Sequence, residues 1–256
     1  PRSGDNSAVP YGNPKPIPEG TSLRINDVWG TCCGAGGGAV ELRLADPSAA
    51  AVVSRTYNTA PGGTFGQDLP GVASDGLLRD GDRTRLIQLS ESASFRTNLG
   101  FANATDLATE VAVDFLLADG TVLGSDTVTL PPRGVEQWNR AFRRVTTTRV
   151  DDGFVDVRPL TAGAAVAVFA SVVDNRTSDP TTILPRPPGG LLVPAAAAGP
   201  GLAGSQWSTD LEVANLSDHT VSYRFRVLPR RADNSGAQVS EPFTLAAGVA
   251  VRYQDI

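Results

Sequence analysis

Phe95-Arg-Thr-Asn-Leu-Gly-Phe-Ala-Asn103 and Trp207-Ser-Thr-Asp-Leu-Glu-Val-Ala-Asn215 are two versions of one string, offset by 112 positions. Each alternates polar and apolar residues as a half-buried strand does, and each runs into a turn, Ala-Thr-Asp106 or Leu-Ser-Asp218. Recurrence at a fixed spacing marks a repeat architecture before any element is assigned. Gly38-Ala-Val-Glu-Leu-Arg43 and Gly153-Phe-Val-Asp-Val-Arg158 recur at 115, an offset that also lays Leu69-Pro70 on Leu184-Pro185.

The two ends of the chain match at twice that spacing. Residues 1–28 align without a gap on 229–256, with identities Pro1/Pro229, Arg2/Arg230, Asp5/Asp233, Asn6/Asn234, Ser7/Ser235, Pro14/Pro242, Gly20/Gly248, Arg24/Arg252 and Asp27/Asp255. About two identities would arise from background composition. The unit is therefore about 114 residues long, the size of an immunoglobulin-like sandwich, and the longer period is two alternating units. On this reading residues 1–70 carry the later strands of one unit, 71–190 a complete unit and 191–256 the earlier strands of a further unit. Pro187-Pro188-Gly189-Gly190 would be a connector.

Within 71–190, Thr97–Asn103 and Glu110–Leu117 read as antiparallel partners, and Ala118-Asp-Gly-Thr121 as a hairpin with a type I′ turn. Val122–Leu130 follows, ended by Pro131-Pro132. Gly153–Arg158 and the nearly continuous apolar run Ala165–Val173 close the unit, the second as a central strand buried on both faces. No segment has a helical period. The fold class expected is all-β, an antiparallel β-sandwich (immunoglobulin-like) repeat, one complete unit flanked by two half-units.

Composition narrows the function. Hydrophobic residues make up 41%, and 27 Gly and 19 Pro punctuate short apolar runs, which suits sandwiches rather than disorder. A net charge of -5 without a basic stripe argues against nucleic acid, and the most apolar stretch, 190–202, falls well short of the roughly 20 residues a membrane span needs. Methionine is absent even at position 1, which reads as a processed or excised chain, and Lys15 is the only lysine. Cys32-Cys33 can stand as two small thiols, as a vicinal disulfide or as bonds to other chains.

A hydrolase would need a nucleophile with a base or a paired acid and base, and neither pattern occurs. His219, the only histidine, sits in the turn-like Asn215-Leu-Ser-Asp-His219. No catalytic residue and no cofactor is expected. Asp80, Asp82, Asp151, Asp152 and Asp156 are weak Ca²⁺ candidates, because Ca²⁺ prefers several carboxylate oxygens, but their spacing fits solvated loop acids better. Asn103-Ala-Thr105, Asn175-Arg-Thr177 and Asn215-Leu-Ser217 match the glycosylation sequon, yet a side chain bracing its own turn explains them more simply. Trp29, Trp138 and Trp207 could line a carbohydrate platform, but Trp207, repeated as Phe95, reads rather as a core residue.

Ser94–Asn103, Leu116–Gly124, Thr129–Pro132, Ala170–Pro180 and Trp207–Asn215 together resemble a poorly characterised tandem β-sandwich repeat of large exported proteins from acidobacteria-like bacteria. The resemblance covers most of 38–256 and implies an extracellular structural protein. It brings no catalytic or ligand residues. The function expected is a stalk, surface layer or filament built head to tail from this chain or from neighbouring repeats. The strands around Ser22–Ile25, Ala39–Leu44 and Ala51–Tyr57, carrying Leu23, Ile25, Val40, Leu42 and Val53, would complete those around Thr209–Ala214, Val221–Leu228 and Val249–Tyr253, carrying Leu211, Val213, Phe225, Val227 and Val251. The alternative is an adhesion module for glycan or matrix.

Overall fold

The computed structural model describes residues 4–10, 12–46, 51–60, 63–185 and 192–256. The expected connector 187–190 lies outside them. Two antiparallel sheets face each other between Leu78 and Ile183. Chain order supplies β1 (Val53–Ala60) and β2 (Gly63–Pro70), a separate hairpin, then β3 (Leu78–Arg79), β4 (Thr84–Glu91), β5 (Phe95–Asn103), β6 (Thr109–Leu117) and β7 (Val122–Leu130). After these come β8 (Val135–Trp138), β9 (Val150–Pro159), β10 (Ala165–Asp174) and β11 (Pro180–Ile183). One sheet has the order β11-β10-β5-β8, with β3 also on β10, and the other β4-β9-β6-β7.

Two-residue alternation decides what lies between the sheets. Leu99 and Phe101 on β5, and Val166, Val168 and Ala170 on β10, meet Val111, Val113 and Phe115 on β6 and Val155 and Val157 on β9, all buried. Aromatic edges lock the centre: Trp138 lies 5.1 Å from Phe101, and Phe142 lies 5.3 Å from Phe115. The apolar run Ala165–Val173 is the interior strand β10 between β5 and β11, as its composition suggested.

Several expectations need correction. Thr97–Asn103 and Glu110–Leu117 are not partners, because the turn after Asn103 carries the chain from one sheet to the other; β5 pairs with β10 and β8, β6 with β7 and β9. The Ala118–Gly120 hairpin is present, but only Gly120 has positive φ (87°), and the register shifts between Phe115 and Leu116. That is a type I turn closed by a glycine bulge, not type I′. A one-and-a-half-turn helix, α1 (Val28–Cys33), starts at Asp27, whose carboxylate accepts the Gly30 N–H. Ser22–Ile25 and Ala39–Leu44, expected as strands, form none.

Beyond the sandwich the C-terminal residues form short ladders: β12 (Gly199–Pro200) with β13 (Gln206–Trp207), β14 (Leu211–Ala214) with β17 (Ala250–Tyr253), and β15 (Val221–Tyr223) with β16 (Phe243–Leu245). The strand expected over 221–228 is thus cut to three residues and a lone bridge, Arg226 to Val239. Trp207 is 64% exposed, so its expected core role is not met; it ends β13, and its repeat counterpart Phe95 is exposed in the sandwich as well. No described helix is long and apolar enough to cross a membrane.

Candidate functional site

The flanking ladders copy the sandwich's registers. β14 and β17 pair Leu211 with Tyr253 and Ala214 with Ala250, where β5 and β8 pair Leu99 with Trp138 and Ala102 with Val135. β15 and β16 pair Val221 with Leu245, where β6 and β7 pair Thr109 with Leu130. β1 and β2 pair Arg55 with Asp68, where β10 and β11 pair Ala170 with Ile183. The C-terminal aromatics Tyr223, Phe225, Phe243 and Tyr253 cluster at ring separations of 5.1–6.1 Å, mostly edge to face, in positions that hold core residues in the sandwich.

The turns are copied as well. Asn103 Nδ2 donates to the carbonyls of Leu107 and Pro131, while its Oδ1 accepts from the Thr105 N–H and hydroxyl. Asn215 does the same with His219, Ala246 and Ser217. Both asparagines are buried, at 4% and 2% exposure, so these sequons are turn braces in the folded chain. Arg133 and Gly248, at matching positions, both adopt left-handed backbone (φ 51° and 71°), and so does Gly20 (φ 68°). Asp5 accepts the hydroxyl and the N–H of Ser7, and Asp233 accepts the N–H of Ser235, which holds both carboxyls below the usual range.

Two joints tie the flanks to the sandwich. At the C-terminal joint Ala250 N–H donates to Ala118 O (2.7 Å), and Ala250 packs on Leu116 and Phe154. Arg85, over the Phe154 ring, binds Asp156 through two bonds of 2.8 Å and gives Nη1 to the carbonyls of Asn215 and Gly248. Arg252 bridges Asp152 (2.9 Å) and Glu212 (3.0 Å). Burial and the Asp152 carboxylate push Glu212 up to about 7, against the Arg252 charge and the N–H of Gln88, which sits at a bulge in β4 (φ 61°). A cleft of about 630 Å³ lies between Arg83, Asp119 and Asp218.

At the N-terminal joint Asn6 donates its N–H to Pro132 O (2.9 Å) and Nδ2 to Arg133 O (3.0 Å). Arg133 pairs with Asp106 and Glu41, Ser171 donates to Gln67, and Thr182 donates to the Asp68 carbonyl. The two joints use matching loops. Asn6 is the counterpart of Asn234, at the hairpin tip between Arg226 and Val239, where the sandwich has Ala118–Gly120. In each joint that tip meets the turn whose left-handed residue is Arg133 or Gly248.

The other sequence candidates scatter. Asp156 is bound by Arg83 and Arg85, Asp152 by Arg252, and Asp151 by Arg149, while Asp82 accepts the Arg79 N–H and Asp80 is exposed. Among the described residues no three His, Cys, Asp or Glu side chains group closely enough to hold a metal ion. Cys33 is disulfide-bonded at the end of α1; the Cys32 side chain lies outside the described set. His219 is exposed beside Asp218 (3.0 Å). Leu23, Ile25, Val40, Leu42, Val53 and Val227 are exposed, and Leu211, Val213, Phe225 and Val251 half-buried.

Sequence reasoning missed Arg85, Glu212 and the joint role of Arg252; the Arg24/Arg252 identity was the available signal for the last. Comparison of the chain with protein-family models, curated proteins and solved structures finds no match.

Proposed function

We propose that this chain is an exported structural repeat protein whose sandwiches stack head to tail into a stalk, surface layer or filament, with no catalytic role. The observation that carries this reading is the use of one loop pair at both joints. A joint between different surfaces that recurs in the same sense is heterologous, and it propagates as a linear assembly wherever its rotation does not close a ring. The exposed apolar residues of the two flanks add a reason for association, since soluble proteins seldom leave such strand edges and faces open.

Sedimentation across concentration tests this directly. The array reading expects species heavier than the 26.6 kDa chain that grow with concentration and appear as filaments or sheets by electron microscopy. A single 26.6 kDa species at every concentration contradicts it. A glycan- or matrix-binding role is the second reading, favoured by the exposed Trp207. Specific binding on a glycan array, lost in Trp207→Ala, would select it.

A further inference from the structure

We infer that β14 of one copy accepts β1 of a second copy as an antiparallel neighbour, in the register that sets Val53 opposite Val213. The same exchange places Leu42 and Val40 of the second copy opposite Phe225 and Val227. This inference rests on the array reading and adds to it the partner segment and the register.

Open edges carry the argument. In the sandwich β5 lies between β10 and β8, and β6 between β9 and β7. Among the described residues β14 and β15, their counterparts, keep only the second neighbour of each pair, β17 and β16. β1 keeps β2, the counterpart of β11, and has no β5-like neighbour among the described residues. Each flank thus holds what the other lacks. Because β1–β2, β14–β17 and β15–β16 hold the sandwich's registers, the missing registers transfer, although beyond Tyr223 the Arg226–Val239 bridge is one residue out of step: Val168 opposite Phe101 becomes Val53 opposite Val213, and Val157 opposite Val113 becomes Leu42 opposite Phe225. Val155 opposite Phe115 becomes Val40 opposite Val227.

Burial agrees with the assignment. Val168, Val157, Val155 and Phe115 are at most 4% exposed, whereas Val53, Leu42, Val40 and Val227 are 51–76% exposed. The complement comes from a second copy because a chain's own flanks are held against different sheets. Gln67 and Asp68 are bound to β10 and β11, and Ala250 to the turn after β6, with Arg252 on β9. In the assembly, residues 229–256 of one copy take the positions that 1–28 of the next would fill.

Oxidative crosslinking of the full chain carrying Val53→Cys and Val213→Cys tests the register, with the unsubstituted chain as the control for native cysteines. The expected result is a ladder at multiples of the chain mass, reproduced by Leu42→Cys with Phe225→Cys and absent for Val53→Cys with Leu211→Cys. Multimers seen by sedimentation that link only through the shifted pair, or through neither, overturn the register and leave the array standing. A monomer with no ladder overturns both, and a link within one chain that leaves the mass unchanged overturns the second copy as donor.

Discussion

The central sandwich and the C-terminal ladders are built from the same strand registers, yet one is closed and the other open. Val113 and Phe115 are fully buried on β6, while Val227, the counterpart of Phe115, is 75% exposed. The difference lies in the neighbours: β6 has β9 on one edge, whereas among the described residues β15 has no strand there and itself ends at Tyr223, short of Val227. Identical local pattern with opposite burial shows that a strand's sequence specifies its face and register, while the supply of a partner strand decides whether that face leaves water.

The largest test of this contrast is truncation at matched positions. Phe115→Ala should destabilise the sandwich by about 3–5 kcal/mol in denaturant unfolding, through lost burial and the cavity left behind. Val227→Ala should cost less than about 0.5 kcal/mol in dilute chain, as exposed substitutions do. If both cost the same in dilute solution, the open description of the C-terminal ladders is wrong.

The braced turns come next. Asn103→Ala strands two carbonyls and two donors, and should cost about 2–3 kcal/mol of sandwich stability. Asn215→Ala should leave the sandwich unchanged and speed amide exchange near Leu245 and Val249. Coupled loss of both regions would show that sandwich and ladders unfold as one unit.

A smaller effect depends on pH. Glu212 is raised from 4.5 to about 7, so the packed joint binds a proton more tightly than the open one. Its stabilisation is complete below about pH 4.5 and is lost as pH rises through about 7. Thermal unfolding of the C-terminal ladders should shift to lower temperature between pH 5 and pH 8, and Glu212→Gln should flatten that dependence. A slope that survives the substitution assigns it to another group.

The smallest effect expected is at His219. With its ring exposed beside Asp218, His219→Ala should change stability by less than about 0.5 kcal/mol. A hydrolytic activity lost in that variant would contradict the non-catalytic reading.

Strand identity was legible because alternation and turn residues are local: Phe95–Asn103, the Ala118–Gly120 hairpin and the Asn103 and Asn215 braces can all be read in a few residues. Partner choice was not. Nothing within Glu110–Leu117 says that it crosses to the other sheet, since that depends on β9, some 40 positions away. Thr84–Glu91 escaped notice because Arg85 and Gln88 break the alternation, and Arg85 faces a joint rather than solvent. Trp207 misled because its repeat position is a surface one: Phe95, its counterpart on the covered strand β5, is itself 41% exposed.

Amide hydrogen exchange on the outer edges of β1 and β14, followed from dilute to concentrated chain, tests the central claim most directly. The account predicts that Val53–Ala60 and Leu211–Ala214 exchange quickly when dilute and gain protection together as concentration rises, while the β5 and β10 amides stay protected throughout. Protection of both edges at the lowest concentration, or exchange unchanged at the highest, would contradict it.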